Sequence, residues 1–182
     1  MTRYIAFLRK INVGGKNLMK MDELTRIFTA AGFKNARTYI QCGNVIFDSA
    51  SANEVGLRKK IEKALRKALG YEVTVILRSL REIEAIVKRN PFRKTRTEGD
   101  VMLCVVFLAD EPQHKPRLPL ASKTEKLEVF EVKDRAAFII ARRKQTGWFG
   151  FPNNFAEKEL GVLGTTRQWS TLNKLLKAAK RI

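Results

Sequence analysis

Two periodicities alternate over the first eighty residues, and their order restricts the fold more than any other feature of the chain. Residues 3–9 carry β-formers and aromatics flanked by charge, the pattern of a strand. Met21, Leu24, Ile27, Phe28 and Ala31 then recur at helical spacing, with Asp22 and Glu23 favouring the N-terminus and Gly32 supplying the stop. Residues 37–41 and 45–48 read as two short strands around a tight turn or bulge at Cys42-Gly43-Asn44. Leu57, Ile61, Ala64, Leu65 and Ala68 mark a second helix that ends at Gly70 and carries Lys59, Lys60, Lys63, Arg66 and Lys67 on its other face. Residues 72–78 form a fourth strand. The order β-α-β-β-α-β is the split β-α-β of a ferredoxin-like half, with two helices on one face of a four-stranded sheet.

The second half follows the theme loosely. Ser79-Leu-Arg-Glu82 is a capping box that opens a helix through Ile83, Ile86 and Val87, stopped at Asn90-Pro91. Residues 101–108 are a near-continuous apolar run, the pattern of a strand buried on both faces. Pro112, Pro116 and Pro119 make the next segment irregular. Residues 126–132 and 136–141 pair around a Lys133-Asp134-Arg135 turn, and 152–160 form a short helix closed by Gly161. Trp169, Leu172, Leu175, Leu176 and Ala179 line the last helix, with Thr166 as its expected N-cap. The expected class is α+β: a ferredoxin-like half over 1–79 and a second, closely packed α+β half over 80–182, duplicated in element order alone and joined without a flexible linker.

Charge is the loudest compositional signal. The chain has 36 Lys+Arg against 18 Asp+Glu, a net +18, which attracts polyanions and makes binding to them salt-dependent. The excess is even: residues 1–80 and 81–182 each carry +9, so no dedicated basic arm exists. No apolar run is long enough to span a bilayer, and no signal peptide opens the chain. Cys42 and Cys104 lie in strand-like segments and read as two buried free thiols in a reducing, cytoplasmic compartment.

Catalytic patterns are missing. His114 is the only histidine and sits in a Pro-rich loop; no cysteine–histidine set has metal spacing, and no Gly-x-Ser-x-Gly occurs. No cofactor pattern is present, and an enzyme built on this chain would have to work by positioning and electrostatics. The candidate binding residues fall in three places. The turn Lys10, Asn12, Gly14, Gly15, Lys16 and Asn17 could offer backbone N–H groups and two lysines to an anion, although its spacing matches neither a P-loop nor a dinucleotide fingerprint. Gly43 and Asn44 could join it, as could Thr166 and Arg167 at the expected helix start, where the dipole favours anions. Arg142, Arg143 and Lys144 precede Trp148, Phe149 and Phe151 around two glycines, an interleaving suited to single-stranded nucleic acid. The plainer reading makes those aromatics caps on the core, and it is the favoured one because Phe and Trp are mostly buried. An RNA-recognition-motif platform is not expected, because Cys42 and Asn44 stand where its stacking aromatics belong.

Four segments, Leu8-Arg-Lys-Ile-Asn-Val-Gly-Gly-Lys-Asn17, Thr38-Tyr-Ile-Gln-Cys-Gly-Asn-Val45, Asn90-Pro-Phe92 and Thr165-Thr-Arg-Gln-Trp169, together resemble domain-of-unknown-function family 1697 over essentially the whole chain. Residues 151–157 are also similar to the family's C-terminal part. The resemblance implies a soluble, cytoplasmic bacterial α+β protein and carries over no catalytic residue. Three positions depart from the family's usual pattern: Lys10 stands in place of glycine, Cys42 of serine and Gln168 of asparagine. Three readings follow as expectations: polyanion binding, foremost nucleic acid, through a basic surface; small-ligand or nucleotide-phosphate binding, with or without catalysis, at the Gly14-Gly15 turn; or a structural or interaction module whose motifs are turns and caps.

Overall fold

The computed structural model describes residues 1–9, 11, 19–95 and 100–181. The chain forms two compact units, residues 1–85 with 175–182 and residues 86–174. The sequence pattern puts its division at 79/80.

The first unit runs β1 (Thr2–Leu8), α1 (Met21–Ala30), β2 (Lys34–Thr38), β3 (Asn44–Ser49), α2 (Glu54–Leu69) and β4 (Val75–Ser79). Its sheet has the order β2-β3-β1-β4 and is antiparallel throughout. Tyr4, Ala6, Leu8, Val45, Phe47, Val75 and Leu77 share one face and receive Leu24 and Phe28 of α1 with Leu57, Ile61 and Leu65 of α2. That is the helical spacing the sequence shows. Rings of Phe28, Phe33 and Phe47 meet at centroid distances of 4.6–5.8 Å at the centre of this core. Ile5, Phe7, Ile46 and Ile76 point to the opposite face and are buried as well. This two-sided burial explains why β1 reads as a continuous apolar run rather than an alternation. Asn53 caps α2 through its side chain, which accepts from the Gly56 N–H at 3.0 Å, and left-handed Gly70 closes the helix.

The chain continues through α3 (Leu80–Arg89), β5 (Val101–Leu108), β6 (Leu120–Ser122), β7 (Leu127–Lys133), β8 (Ala136–Arg142), α4 (Pro152–Leu160), β9 (Gly164–Gln168) and α5 (Trp169–Lys180). The capping box forms as expected: Ser79 N–H donates to Glu82 Oε2 at 2.7 Å, and Glu82 N–H donates to Ser79 Oγ at 3.2 Å. The second sheet has the order β6-β7-β8-β5-β9, again antiparallel. Apart from the edge strand β6, β7-β8-β5-β9 repeats the order β2-β3-β1-β4. Cys104, Val106, Leu108, Val129, Ala137 and Ile139 form its core with Ala156 and Leu160 of α4.

The repetition extends to single residues. β4 and β9 are both five-residue strands that pass into a helix at the very next residue. Arg78 and Arg167 are each the fourth residue of their strand, are buried, and donate through Nη1 to the carbonyl just before them, Leu77 and Thr166.

The last residues of α5 belong to the first unit. Arg3 donates to Ala179 O at 2.8 Å, Arg37 donates to Ala178 O, and Lys180 pairs with Glu84 at 2.8 Å. Two guanidinium groups thereby satisfy carbonyls at a helix C-terminus, where cations are favoured.

Four expectations need correction. β2 lies at Lys34–Thr38 rather than 37–41, because Asn35 takes a positive φ of 52° and shifts the register against β3. β4 begins at Val75, three residues later than expected. A short strand, β6, sits inside the segment read as irregular. Residues 164–168 are a strand paired with β5, so α5 begins at Trp169 and Thr166 is not its N-cap.

Candidate functional site

The four family segments meet in pairs, one pair within each unit. In the first unit, Leu8 N–H donates to Gly43 O at 2.8 Å, joining the end of β1 to the Ile40–Gly43 turn. Gly43 has φ +69°, and a Cβ there would sit 3.1 Å from Leu8 Cβ and 3.4 Å from Ile11 Cβ, so glycine makes this approach without strain where a side chain would have to push its neighbours aside. Asn44 is fully buried; its Nδ2 donates to Tyr39 O at 3.1 Å and to Cys42 Sγ at 2.8 Å. These bonds hold the turn closed. Lys10, Asn12, Gly14, Gly15, Lys16 and Asn17 lie outside the described residues.

In the second unit the Asn90-Pro91-Phe92 and Thr165–Trp169 segments meet through their aromatics. Phe92 and Trp169 lie 5.2 Å apart edge-on, and Phe92 also contacts Phe130 and Phe138. Arg89 lies over the Phe138 ring at 5.0 Å. Arg167 is buried within β9 opposite Val105, and its Nη1 donates to Thr165 Oγ1 at 3.0 Å and Thr166 O at 2.7 Å. Thr166 donates to Asn153 Oδ1 of α4 at 3.3 Å. Arg167 thus belongs to a strand, two residues before α5 begins at Trp169, rather than to the first turn of a helix.

The basic-aromatic segment contains the largest surprise. Trp148 is 77% exposed and Phe151 69% exposed, whereas Phe149 packs against the core of its unit. The favoured reading, in which these aromatics cap the core, holds for Phe149 alone. The loop that carries Trp148 is fastened. Lys144 N–H donates to Trp148 O at 2.9 Å, Gly147 N–H to Lys144 O at 3.0 Å, and Arg143 Nη1 to Gly147 O at 2.6 Å. Gly147 takes φ +83° to close that turn, and a Cβ on Gly150 would fall 2.4 Å from Glu125 O. Each of the three cations also has an acidic partner: Arg142 with Glu128 at 3.4 Å, Arg143 with Asp100 at 2.9 Å and Lys144 with Glu125 at 3.0 Å. Lys144, helped by the Phe151 N–H, holds the Glu125 carboxyl below the usual carboxylate range. Arg143 stacks on Phe149 at 4.8 Å, beside a cleft of about 470 Å³ that also takes in Gln168, Trp169 and Ser170.

Three further observations bear on chemistry. Among the described residues no group of three His, Cys, Asp or Glu could hold a metal ion. No described helix is long and apolar enough to cross a membrane. The buried second face of the first sheet, with Ile5, Phe7, Ile46 and Ile76, leaves no platform there for stacked bases.

Fold and motifs together define a basic α+β protein built of two antiparallel sheets with one shared strand order. The chain belongs to the protein family of unknown function DUF1697, whose model matches residues 1–138. It is similar in structure to the conserved bacterial protein SP0830 from Streptococcus pneumoniae, with a TM-score of 0.70 at 21% identity, covering 100% of this chain and 99% of that one. No curated protein matches the sequence.

Proposed function

We propose that this protein is a cytoplasmic nucleic-acid-binding protein that contacts unpaired bases through its Trp148 loop. The exposure of Trp148 carries this reading. Leaving a large aromatic in water forgoes roughly 2–3 kcal/mol of burial, and here the indole stands out from a loop fixed by three hydrogen bonds. A base stacked on an aromatic gains about 1–3 kcal/mol, whichever base it is. The ion pairs beside it do not prevent phosphate binding, because exposed pairs are worth only about 0–1 kcal/mol and exchange partners easily. Free Cys42 and Cys104 fit a reducing compartment.

The test is fluorescence anisotropy of a labelled single-stranded oligonucleotide at low salt. Binding by the wild-type protein should weaken about tenfold in Trp148→Ala, within the range for loss of one stacked base. Absence of wild-type binding, or equal binding by the variant, overturns the proposal.

A further inference from the structure

Each cation of the Trp148 loop must leave an acidic partner before it can bind phosphate. α2 carries a row of cations with fewer such partners. Its buried stripe of Leu57, Ile61 and Leu65 fixes the helix on the first unit's core and turns Lys59, Lys60, Lys63, Arg66 and Lys67 outward, all of them exposed. Successive lysines at 59, 63 and 67 are one helical turn apart, about 6 Å along the axis, so the three span about 12 Å. Like charges at these spacings destabilise a helix, and natural surface helices normally intersperse acids among them.

α2 has two acids, and only Glu62 lies beside the lysines, in the cleft that Lys59, Lys63 and Arg66 also line. Glu54 occupies the first turn, where the dipole favours it, and half-buried Glu62 accepts from the Val75 N–H at 3.0 Å. Among the described residues, the ion pair on this face is Arg66–Glu72 at 3.2 Å, with both side chains mostly exposed. A cleft of about 360 Å³ runs beside the stripe, lined by Lys59, Lys63 and Arg66 together with Glu62 and Glu72, so the cations outnumber the acids there by three to two and the phosphate contacts fall to the exposed lysines outside it.

We infer that the outer face of α2 is a phosphate rail for nucleic acid, contacting the sugar-phosphate backbone without reading bases. The inference rests on the nucleic-acid reading above and adds a second, chemically separate surface. One strand of a duplex advances about 3.4 Å per phosphate, so the rail passes three or four phosphates. An anionic membrane is the weaker fit. Interfacial helices bury an apolar face in the lipid, and the apolar face of α2 is already committed to the core.

The experiment compares wild type, Trp148→Ala and the triple variant Lys59→Gln, Lys63→Gln, Lys67→Gln. Affinity for single-stranded and duplex oligonucleotides is measured across a salt series. The triple variant should lose about two to three from the slope of log K against log salt, while Trp148→Ala weakens binding and keeps its slope. The triple variant should melt no lower than wild type, since only like-charge repulsion has been removed. An unchanged slope in the triple variant, with wild-type binding intact, overturns the rail and leaves the base-contact proposal standing. No wild-type binding at low salt overturns both. Wild-type binding to phosphatidylserine vesicles that matches the oligonucleotide affinity and vanishes in the triple variant also overturns the rail as a nucleic-acid surface.

Discussion

At the scale of single residues, the ion pair of Arg3 with Asp48 ties β1 to β3 in the first unit. Arg3 donates twice to the carboxylate, at 2.8 and 2.9 Å, and Asn35 donates once more at 2.8 Å. The Arg3 bonds outweigh burial and hold the Asp48 carboxyl below its usual range. A carboxyl depressed in the folded state contributes stability that is complete above its unfolded pKa of about 4 and is lost as pH falls through the folded value. Asp48→Asn should therefore cost about 2 kcal/mol at neutral pH and flatten the stability profile below about pH 4. Urea unfolding at stepped pH checks this; parallel profiles would contradict it. The thiols differ in the same physical terms. Burial pushes Cys104 up to about 12, while Cys42 lies half-exposed at its turn. Under native conditions at pH 8, a disulfide reagent should label Cys42 alone, with Cys104 reacting only as fast as the protein unfolds. The sequence marks Trp148 as a candidate beside its cations but not its exposure. Composition gives an indole a default place in the core, and only the fastened turn around Gly147 shows that this one stands outside.

Elements were legible where a helix or strand announces itself locally. The capping box at Ser79 and Glu82, the α2 stripe and the apolar run of β5 could each be read from neighbouring residues, and each forms where expected. Ser79→Ala should lower stability by about 1 kcal/mol through loss of the cap, measurable as a lower urea midpoint with an unchanged slope. β9 failed to announce itself. Gly-Thr-Thr-Arg-Gln is polar and stands directly before an amphipathic helix, so it imitates a cap. It is a strand because β5 pairs with it from Cys104 to Leu108, a partner some sixty residues away in the chain. The same long-range dependence decides the candidate site. Arg167 reads from the sequence as a residue of a helix start and is a buried strand residue, while the outward face of α2 is legible as charge on the back of a helix.

For the molecule as a whole, the division into units matters more than the division into halves. Leu175, Leu176 and Ala179 are buried, and the carbonyls that Arg3 and Arg37 bond lie in the same stretch. Removing residues 175–182 should forfeit roughly 5 kcal/mol of apolar burial, comparable to the total stability of a small domain. Limited proteolysis of the truncated chain should then cut within residues 1–85 before residues 86–174; equal protection of both would refute it. The net +18, spread evenly along the sequence, told little by itself, because its use depends on which cations already have acidic partners. The discontinuous first unit also sets an order of assembly. A ribosome delivers residues 86–174 before 175–182, so the unit that begins the chain is the later of the two to receive all its parts. Multi-domain chains commonly mature from the N-terminus onward. In this one the bonds from Arg3 and Arg37 to the carbonyls of Ala179 and Ala178 can form only after the second unit has been made.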